Sequence, residues 1–254
     1  MANNQEKSQF FSLMVVGDNP NELLKKYDSN LKLEPYIKYH YKDAGKLRKK
    51  SIKLIQDVID NKDKTALNNI TIDYFKERVN ALKNMSDFDY YTCITTGLNF
   101  NKDGDAITTE NPDSKYKTCR VGKNLCIPLK LKTGEEVLQA RAKDVDWACM
   151  HLINQDIYKA AWELFHKERE PKTETEKTIY ENIKNQNRYF ENFDSEDKYV
   201  EYNCSYWNYA YLDENGWLDA DDHKNYEWIT KFYDRFVKKL KPNDLITIYE
   251  CTKA

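Results

Sequence analysis

Residues 199–251 read YVEYNCSYWNYAYLDENGWLDADDHKNYEWITKFYDRFVKKLKPNDLITIYEC, and this stretch decides the fold. Hydrophobic and polar residues alternate over residues 199–212, which predicts a long strand, and Asn215-Gly216 predicts a turn into a second strand. Residues 226–239 place aromatic and aliphatic side chains at helical spacing, and residues 245–251 predict a final strand. The order β-β-α-β predicts an α+β protein in which an antiparallel sheet is packed by helices.

The rest of the sequence predicts a more helical N-terminal half. Helices are predicted over residues 43–60, 71–85 and 144–167, and strands over residues 10–17 and 88–96. We expect residues 1–254 to form one compact domain. If that domain is subdivided, the pattern indicates a helical part (1–86) and a sheet-containing part (87–254).

The composition argues against several classes of protein. The chain has 40 basic and 42 acidic residues, so its net charge of -2 excludes a uniformly basic nucleic-acid binder. Aromatic residues make up 13% of the chain, whereas disordered sequences contain few of them. Seven glycines are too few for an all-β protein with many tight turns, and they argue against a glycine-rich phosphate-binding loop.

The sequence predicts a cytoplasmic protein with no membrane partner. It has no run of about 18 apolar residues, and its first residues, MANNQEKSQ, lack the features of a signal peptide. In a reducing compartment the six cysteines are expected to be free thiols, and no two of them are spaced C-x-x-C. We therefore expect no cofactor and no structural zinc site.

Three segments carry motifs that go beyond these patterns. Residues 111–125, NPDSKYKTCRVGKNL, are similar to N-P-x-S-K-W-D-W-Y-x-I-G-G-R-W, and residues 140–147, ARAKDVDW, are similar to A-R-x-x-D-I-D-[WF]. Residues 228–248 contain W-x3-F-x3-F and then PNDLITI, which resemble W-x3-F-x3-[FI] and P-D-x-x-L-T-V-V-D-C-H. The patterns that these residues resemble occur in a loose group of uncharacterised proteins from phages and mobile elements of low-GC bacteria.

The resemblance implies a context rather than an activity, because the group has no known activity to transfer. That context is a phage or mobile-element gene product acting in a bacterial cytoplasm. Lys123-Asn124-Leu125 stands where the group has G-R-W, and Glu250-Cys251-Thr252 stands where it has D-C-H. Chemistry that depends on that arginine or that histidine is therefore not expected in this chain.

The basic, aromatic segment of residues 111–120 and the aromatic hairpin predicted over residues 199–218 form the predicted contact surface for a partner. Cations beside aromatic rings and hydroxyl groups can grip phosphate, stack on a base or anchor a protein. The alternative is that Asn111-Pro112 and Gly122 only set the geometry of a loop, while the aromatic rings of the hairpin belong to the core. The predicted partner-binding residues are Ser114, Lys115, Tyr116, Lys117, Arg120, Tyr206 and Tyr209.

Two acidic patterns are weaker candidates for metal chemistry. Asp144 and Asp146 are a carboxylate pair of the kind that holds Mg²⁺ in nucleases, although the start of a helix favours the same residues. Residues 99–110 have the spacing of a calcium-binding loop, for which a β-turn stabilised by Asn and Asp side chains is the alternative. The candidate ligands in that loop are Asn99, Asn101, Asp103 and Glu110.

These observations favour a binding protein over an enzyme. The sequence contains no nucleophile elbow, P-loop, dinucleotide-binding fingerprint or H-E-x-x-H motif. We predict a phage-encoded cytosolic protein that blocks a host component, most plausibly a CRISPR-type defence complex, by covering its surface. Its partner would be a host protein or ribonucleoprotein complex. The alternatives are a divalent-metal-dependent enzyme acting on nucleic acid through Asp144 and Asp146, and a protein that sequesters a signalling nucleotide. The sequence does not fix the oligomeric state.

Overall fold

The structure is a computed structural model that describes residues 10–61, 69–122, 126–166, 170–183, 192–222 and 225–254. The strands are β1 (Phe10–Val16), β2 (Tyr36–Tyr39), β3 (Asn99–Phe100), β4 (Ala106–Thr108), β5 (Tyr116–Val121), β6 (Leu129–Lys130), β7 (Glu136–Val137), β8 (Gln139–Arg141), β9 (Ala210–Asp213), β10 (Gly216–Asp219) and β11 (Leu245–Lys253). The helices are α1 (Pro20–Lys25), α2 (Ala44–Asp60), α3 (Asn69–Asn84), α4 (Asp87–Ile94), α5 (Gln155–His166), α6 (Glu174–Ile183), α7 (Glu196–Cys204) and α8 (Asn225–Arg235). The predicted α+β class is confirmed.

The chain divides into two compact units, one formed by Met1–Asn30 with Asp113–Ala254 and the other by Leu31–Pro112. We call them the larger unit and the smaller unit. The smaller unit is an excursion of the chain between two segments of the larger one. Residue 86, the subdivision point suggested by the sequence, lies inside the smaller unit, and the expectation of one domain stays a prediction.

The larger unit is organised around a sheet with the strand order β10-β9-β1-β11-β5, in which β8 also pairs with β11. β1 runs antiparallel to β11, with Phe10 opposite Thr252, and parallel to β9, with Leu13 opposite Ala210. The β-β-α-β order of the C-terminal segment is confirmed as β9, β10, α8 and β11. The sheet is mixed rather than purely antiparallel, because β1 joins β9 in a parallel pair.

β1 is buried on both faces, which explains why its sequence is a continuous apolar run. Leu13 and Val15 pack on one face of the sheet, in a cluster that includes Leu24 of α1. Met14 packs on the other face, in a cluster that includes Phe232 of α8. The predicted N-terminal strand and C-terminal helix are therefore confirmed, and both faces of the sheet contribute to the core.

The long strand expected over residues 199–212 is wrong, because most of this segment belongs to α7. Ser195 starts the helix by accepting a hydrogen bond on its Oγ from Lys198 N at 3.4 Å, and acidic side chains follow in the first turn. Tyr199, Val200 and Cys204 are buried at helical spacing. Only Ala210–Asp213 forms a strand, and the predicted turn at Asn215-Gly216 leads from it into β10.

Replacing Ser195 by alanine is expected to lower the free energy of unfolding by about 1 kcal/mol, because the first turn of α7 loses its side-chain acceptor. Urea denaturation measures this loss. Ser195→Asp is the matched control, because aspartate caps a helix as well as serine does and should keep most of the stability. Equal stabilities for the alanine and aspartate variants would contradict the assigned cap.

Residues 88–96, expected as a strand, instead form α4 over Asp87–Ile94. Ser86 caps this helix, since its Oγ accepts a hydrogen bond from Asp89 N at 3.0 Å. The aromatic residues that suggest a strand here include Tyr90 and Tyr91, which are buried side chains of the helix. The cap therefore outweighs the strand preference of the aromatic residues.

The helix expected over residues 144–167 is shorter than predicted and begins only at Gln155. Short 3₁₀ turns at Ala142–Asp144 and Trp147–Cys149 precede it. Leu152 and Asn154 have φ angles of 55° and 59°, which lie in the left-handed region and interrupt a right-handed helix.

The smaller unit combines the β2-β4-β3 sheet with α2, α3 and α4. Tyr91 of α4 connects helix and sheet, because its hydroxyl accepts a hydrogen bond from Ala106 N at 2.7 Å. The same hydroxyl lies 3.1 Å from Tyr39 O. Tyr91 and Ala106 are buried together with Ala44 of α2. The helices predicted over residues 43–60 and 71–85 are confirmed as α2 and α3.

Candidate functional site

A cleft of about 1140 Å³ opens in the larger unit where β1 and β9 end. These two strands are parallel, so their carboxyl ends meet at the same edge of the sheet, where many α/β proteins bind ligands. We call it the main cleft. It is lined by Val16, Gly17, Asp18, Asn19, Glu22, Leu23, Tyr27, Tyr211, Asp213, Glu214, Asn215, Gly216, Trp217, Leu218, Arg235, Phe236, Lys239, Leu240, Lys241 and Asp244.

Two pairs of aromatic rings, packed on opposite faces of the sheet, line the main cleft, and we call them its floor. Tyr211 stacks on Phe236 with ring centroids 4.2 Å apart, and both side chains are buried. Tyr27 lies against Trp217 with ring centroids 5.2 Å apart, and the Tyr27 hydroxyl accepts a hydrogen bond from Trp217 N at 3.1 Å. These contacts hold the rings in place before any ligand arrives, so binding costs little ordering of the floor.

The rim of the main cleft carries charges of both signs, with an excess of carboxylates. Arg141 fixes one side of the rim, because its Nη1 donates to Asp18 Oδ1 at 2.6 Å and to Asn243 O at 2.7 Å. The acidic lining residues are Asp18, Glu22, Asp213, Glu214 and Asp244, and the basic ones are Arg235, Lys239 and Lys241. An apolar floor inside a charged rim is the usual arrangement of a protein-binding surface.

A second, smaller cavity of about 160 Å³ lies elsewhere in the larger unit. We call it the lysine–aspartate pocket, because two lysines and two aspartates face each other across it. Lys115 Nζ donates to Asp219 Oδ2 at 3.2 Å, and Lys253 Nζ donates to Asp221 Oδ2 at 2.7 Å. The pocket is lined by Phe11, Ser114, Lys115, Tyr209, Trp217, Asp219, Asp221, Lys253 and Ala254.

The structure separates the residues that were predicted to bind a partner. Ser114, Lys115 and Tyr209 come together in the lysine–aspartate pocket. Lys117 and Arg120 are exposed on β5, an edge strand, and line neither cavity. Their role in binding a partner stays a prediction.

Tyr116 and Tyr206 do not fit the predicted exposed surface, because both are in the core. Tyr116 is 7% exposed, and its hydroxyl donates to Leu24 O at 3.2 Å. Tyr206 is 1% exposed, because it follows α7 rather than lying on a strand, and its ring packs edge-on against Trp147 and Phe232. Burial raises the pKa of the Tyr116 hydroxyl to about 12.

Asp146, one of the two carboxylates predicted to hold a metal ion, has a local structural role. Its carboxylate accepts a hydrogen bond from Cys149 N at 3.3 Å and caps the 3₁₀ turn Trp147–Cys149. Hydrogen bonding from Cys149 holds the pKa of Asp146 below its usual value. Asp144 is exposed. Within the described ranges, no group of three or more His, Cys, Asp or Glu side chains is arranged to hold a metal ion.

The segment with calcium-loop spacing forms the alternative structure, a turn between β3 and β4. Asn101 Oδ1 accepts hydrogen bonds from Asp103 N at 3.0 Å and from Asp105 N at 2.9 Å, so the backbone uses this oxygen. Glu110 pairs with Lys38 at 2.8 Å. Asn99 lies on β3. These contacts account for the four candidate ligands as parts of a turn and its neighbouring strand.

The expectation that all six cysteines are free thiols is wrong for two of them. Cys119 on β5 and Cys251 on β11 are directly opposite each other, and a disulfide joins them. Cys126 and Cys204 are free and buried, and burial raises the pKa of each thiol to about 11, which keeps both protonated near neutral pH.

Sequence reasoning missed Asp219, Asp221 and Lys253 of the lysine–aspartate pocket. Asp219 is 104 residues from Lys115 in sequence, and only the sheet brings the two together. The one local signal was a charged residue at Asp219, directly after the apolar pair Trp217-Leu218, where it ends a strand.

Comparisons with known proteins found no match. No family model matches the chain, and neither a curated protein nor a solved structure matches it. The resemblance to phage and mobile-element proteins therefore stays a prediction, and Lys123-Asn124-Leu125 lies outside the described residues. None of the helices in the described part of the chain combines the length and hydrophobicity needed to cross a bilayer.

Proposed function

We propose that this chain is a binding protein, encoded by a phage or mobile element, that blocks a host component by seating part of it in the main cleft. The cleft is the observation that carries this proposal. The resemblance of residues 111–125, 140–147 and 228–248 supports the phage context and the bacterial cytoplasm, although the Cys119–Cys251 disulfide is uncommon in a reducing compartment. A CRISPR-type defence complex is the class of target that this context favours.

The size and floor of the main cleft favour a protein segment as its occupant. Its volume of about 1140 Å³ is above the range of about 300–1,000 Å³ typical of small-molecule pockets. Trp217 is half-buried and lies against the ring of Tyr27, while Tyr211 and Phe236 form a second aromatic pair in the lining. Preordered aromatic rings that can exclude water are typical of binding hot spots.

The charge of the rim favours a partner with basic side chains over nucleic acid. Five carboxylates line the cleft against three cations of the lining and Arg141, which pairs with Asp18, so one carboxylate is in excess and a polyphosphate backbone would gain no net attraction there. Glu22 and Glu214 are exposed and extend this acidic rim on two sides, from α1 and from the β9–β10 turn. Complementary charges of this kind speed association and select the partner.

Reversing two rim charges is expected to abolish capture of the partner. We expect the tagged chain to retain a stoichiometric protein from a lysate of a low-GC bacterium, and Glu22→Lys with Glu214→Lys to retain less than about a tenth of it. The matched control is Glu135→Lys with Glu136→Lys, which changes the net charge equally at exposed residues outside the cleft. Quantitative mass spectrometry of the eluates measures the difference.

Three results would contradict the proposal. Equal loss of the partner from both double variants would show that net charge, not the cleft, governs binding. Equal retention by both would place the contact elsewhere, with the exposed Lys117 and Arg120 of β5 as the next residues to test. An eluate containing only nucleic acid would favour an enzyme or binding protein acting on nucleic acid.

A further inference from the structure

The acceptors of the lysine–aspartate pocket are already occupied by the protein itself. Asp219 is 5% exposed, and its Oδ2 accepts hydrogen bonds from Trp217 Nε1 at 2.8 Å and Lys115 Nζ at 3.2 Å. Its Oδ1 accepts from Asp221 N at 3.2 Å. Asp221 Oδ2 accepts from Lys253 Nζ at 2.7 Å. The two carboxylates therefore serve to position the donors around them.

The two lysine ammonium groups of the pocket have N–H donors beyond those that bind the aspartates. An ammonium group has three N–H donors, and Lys115 and Lys253 each give one hydrogen bond to a carboxylate of the pocket. Their side chains are 38% and 34% exposed, so both are partly withdrawn from water. Ser114 adds a hydroxyl to the lining. The pocket thus presents donors from two sides to a small ligand.

Tyr209 is the most informative member of this set. Its hydroxyl oxygen is buried and interacts with Asp221 and Lys253, but it makes no hydrogen bond of normal length and angle within the described part of the chain. Buried hydroxyl groups normally have a partner, because leaving one unpaired costs about 1–3 kcal/mol. Lys253 Nζ lies 4.9 Å from the centroid of the Tyr209 ring, so the hydroxyl and the ammonium belong to the same small site. A ligand acceptor would satisfy both groups.

We propose that the lysine–aspartate pocket binds the carboxylate of a small monocarboxylic acid, with Lys115, Lys253 and Tyr209 as donors. The two aspartates already balance the charges of the two lysines, so a singly charged carboxylate suits the pocket better than a phosphate dianion does. The walls of Phe11 and Trp217 are aromatic and suit a small apolar body attached to that carboxylate. A volume of about 160 Å³ limits the ligand to about one small ring with its carboxylate.

Calorimetric titration of the full chain with sodium benzoate, at constant ionic strength, tests this proposal. We expect saturable binding of one benzoate per chain, and binding of inorganic phosphate at least about tenfold weaker. Acetate should bind more weakly than benzoate, because it lacks the body that contacts the aromatic walls. No saturable binding of benzoate, or phosphate binding as tight as benzoate binding, would overturn the proposal.

Tyr209→Phe separates a binding role from a structural one. This variant removes only the hydroxyl, which makes no hydrogen bond of normal geometry, so the melting temperature should change little. Benzoate affinity should fall about tenfold, the equivalent of one hydrogen bond to a charged group. Lys117→Gln, an exposed lysine outside the pocket, is the matched control and should bind benzoate like the unchanged chain. Unaltered affinity in Tyr209→Phe would overturn the assignment of the site.

Discussion

Replacing Phe232 by alanine is expected to lower the free energy of unfolding of the larger unit by about 3–5 kcal/mol. The Phe232 side chain is 0% exposed and lies at the centre of the cluster between α8 and the sheet. Its ring contacts those of Tyr206, Tyr211, Trp228 and Phe236, with centroid distances from 5.0 to 6.4 Å. Alanine would leave a cavity bordered by these large rings, which cannot all move to fill it.

Tryptophan fluorescence during urea denaturation measures this loss in the larger unit alone. All five tryptophans lie in that unit, so the signal does not report unfolding of the smaller one. Phe10→Ala is the matched control, because Phe10 is on β1 but 59% exposed and should cost less than about 1 kcal/mol. Similar losses for the two variants would show that Phe232 is not a centre of the core.

Replacing Gly122 by alanine is expected to cost about 1–3 kcal/mol, because the added methyl group has no room. A Cβ at this position would lie 2.6 Å from Glu250 Oε2 and 2.8 Å from Glu250 Cδ. The Glu250 side chain is only 4% exposed, and Arg120 Nη2 lies 3.5 Å from its Oε2. Glu250 would have to leave a buried position next to its cationic neighbour.

A double-mutant cycle isolates the contact between residues 122 and 250. In a Glu250→Ala background the methyl group meets no carboxylate, so Gly122→Ala should then cost less by at least about 1 kcal/mol. Urea denaturation of the four proteins gives the coupling energy. Strictly additive losses would contradict the close approach and would point instead to the loop role that the sequence suggested for Gly122.

The structure departs furthest from the sequence pattern around α7. Residues 199–212 alternate well enough to suggest a strand, but Tyr199, Val200 and Cys204 also fit one face of a helix. Ser195, whose side chain caps α7, lies before the alternating segment, so the alternation alone does not reveal the start of the helix. By contrast, α8 was predictable, because a polar face accompanies its apolar residues along the whole helix.

The candidate sites were only partly predictable. Ser114 and Lys115 are a local polar pair, and their placement in a site follows from the segment itself. Asp219 and Lys253 reach the same pocket from the ends of β10 and β11, and no local pattern encodes that convergence. Tyr206 was misplaced because an aromatic residue serves equally in a core and on a recognition surface.

The path of the chain between the two units has an evolutionary consequence. The larger unit ends its first segment at Asn30 and resumes at Asp113, and Ser29 N donates to Tyr116 O at 2.9 Å beside that gap. Lys115 N also donates to Tyr27 O at 2.8 Å, so the segment that follows α1 is tied to the start of β5 without help from the intervening residues. Residues 31–112 thus form a cassette, inserted between two segments of the larger unit that are already joined by hydrogen bonds. Recombination can exchange such a cassette while the sheet and both cavities of the recipient stay intact.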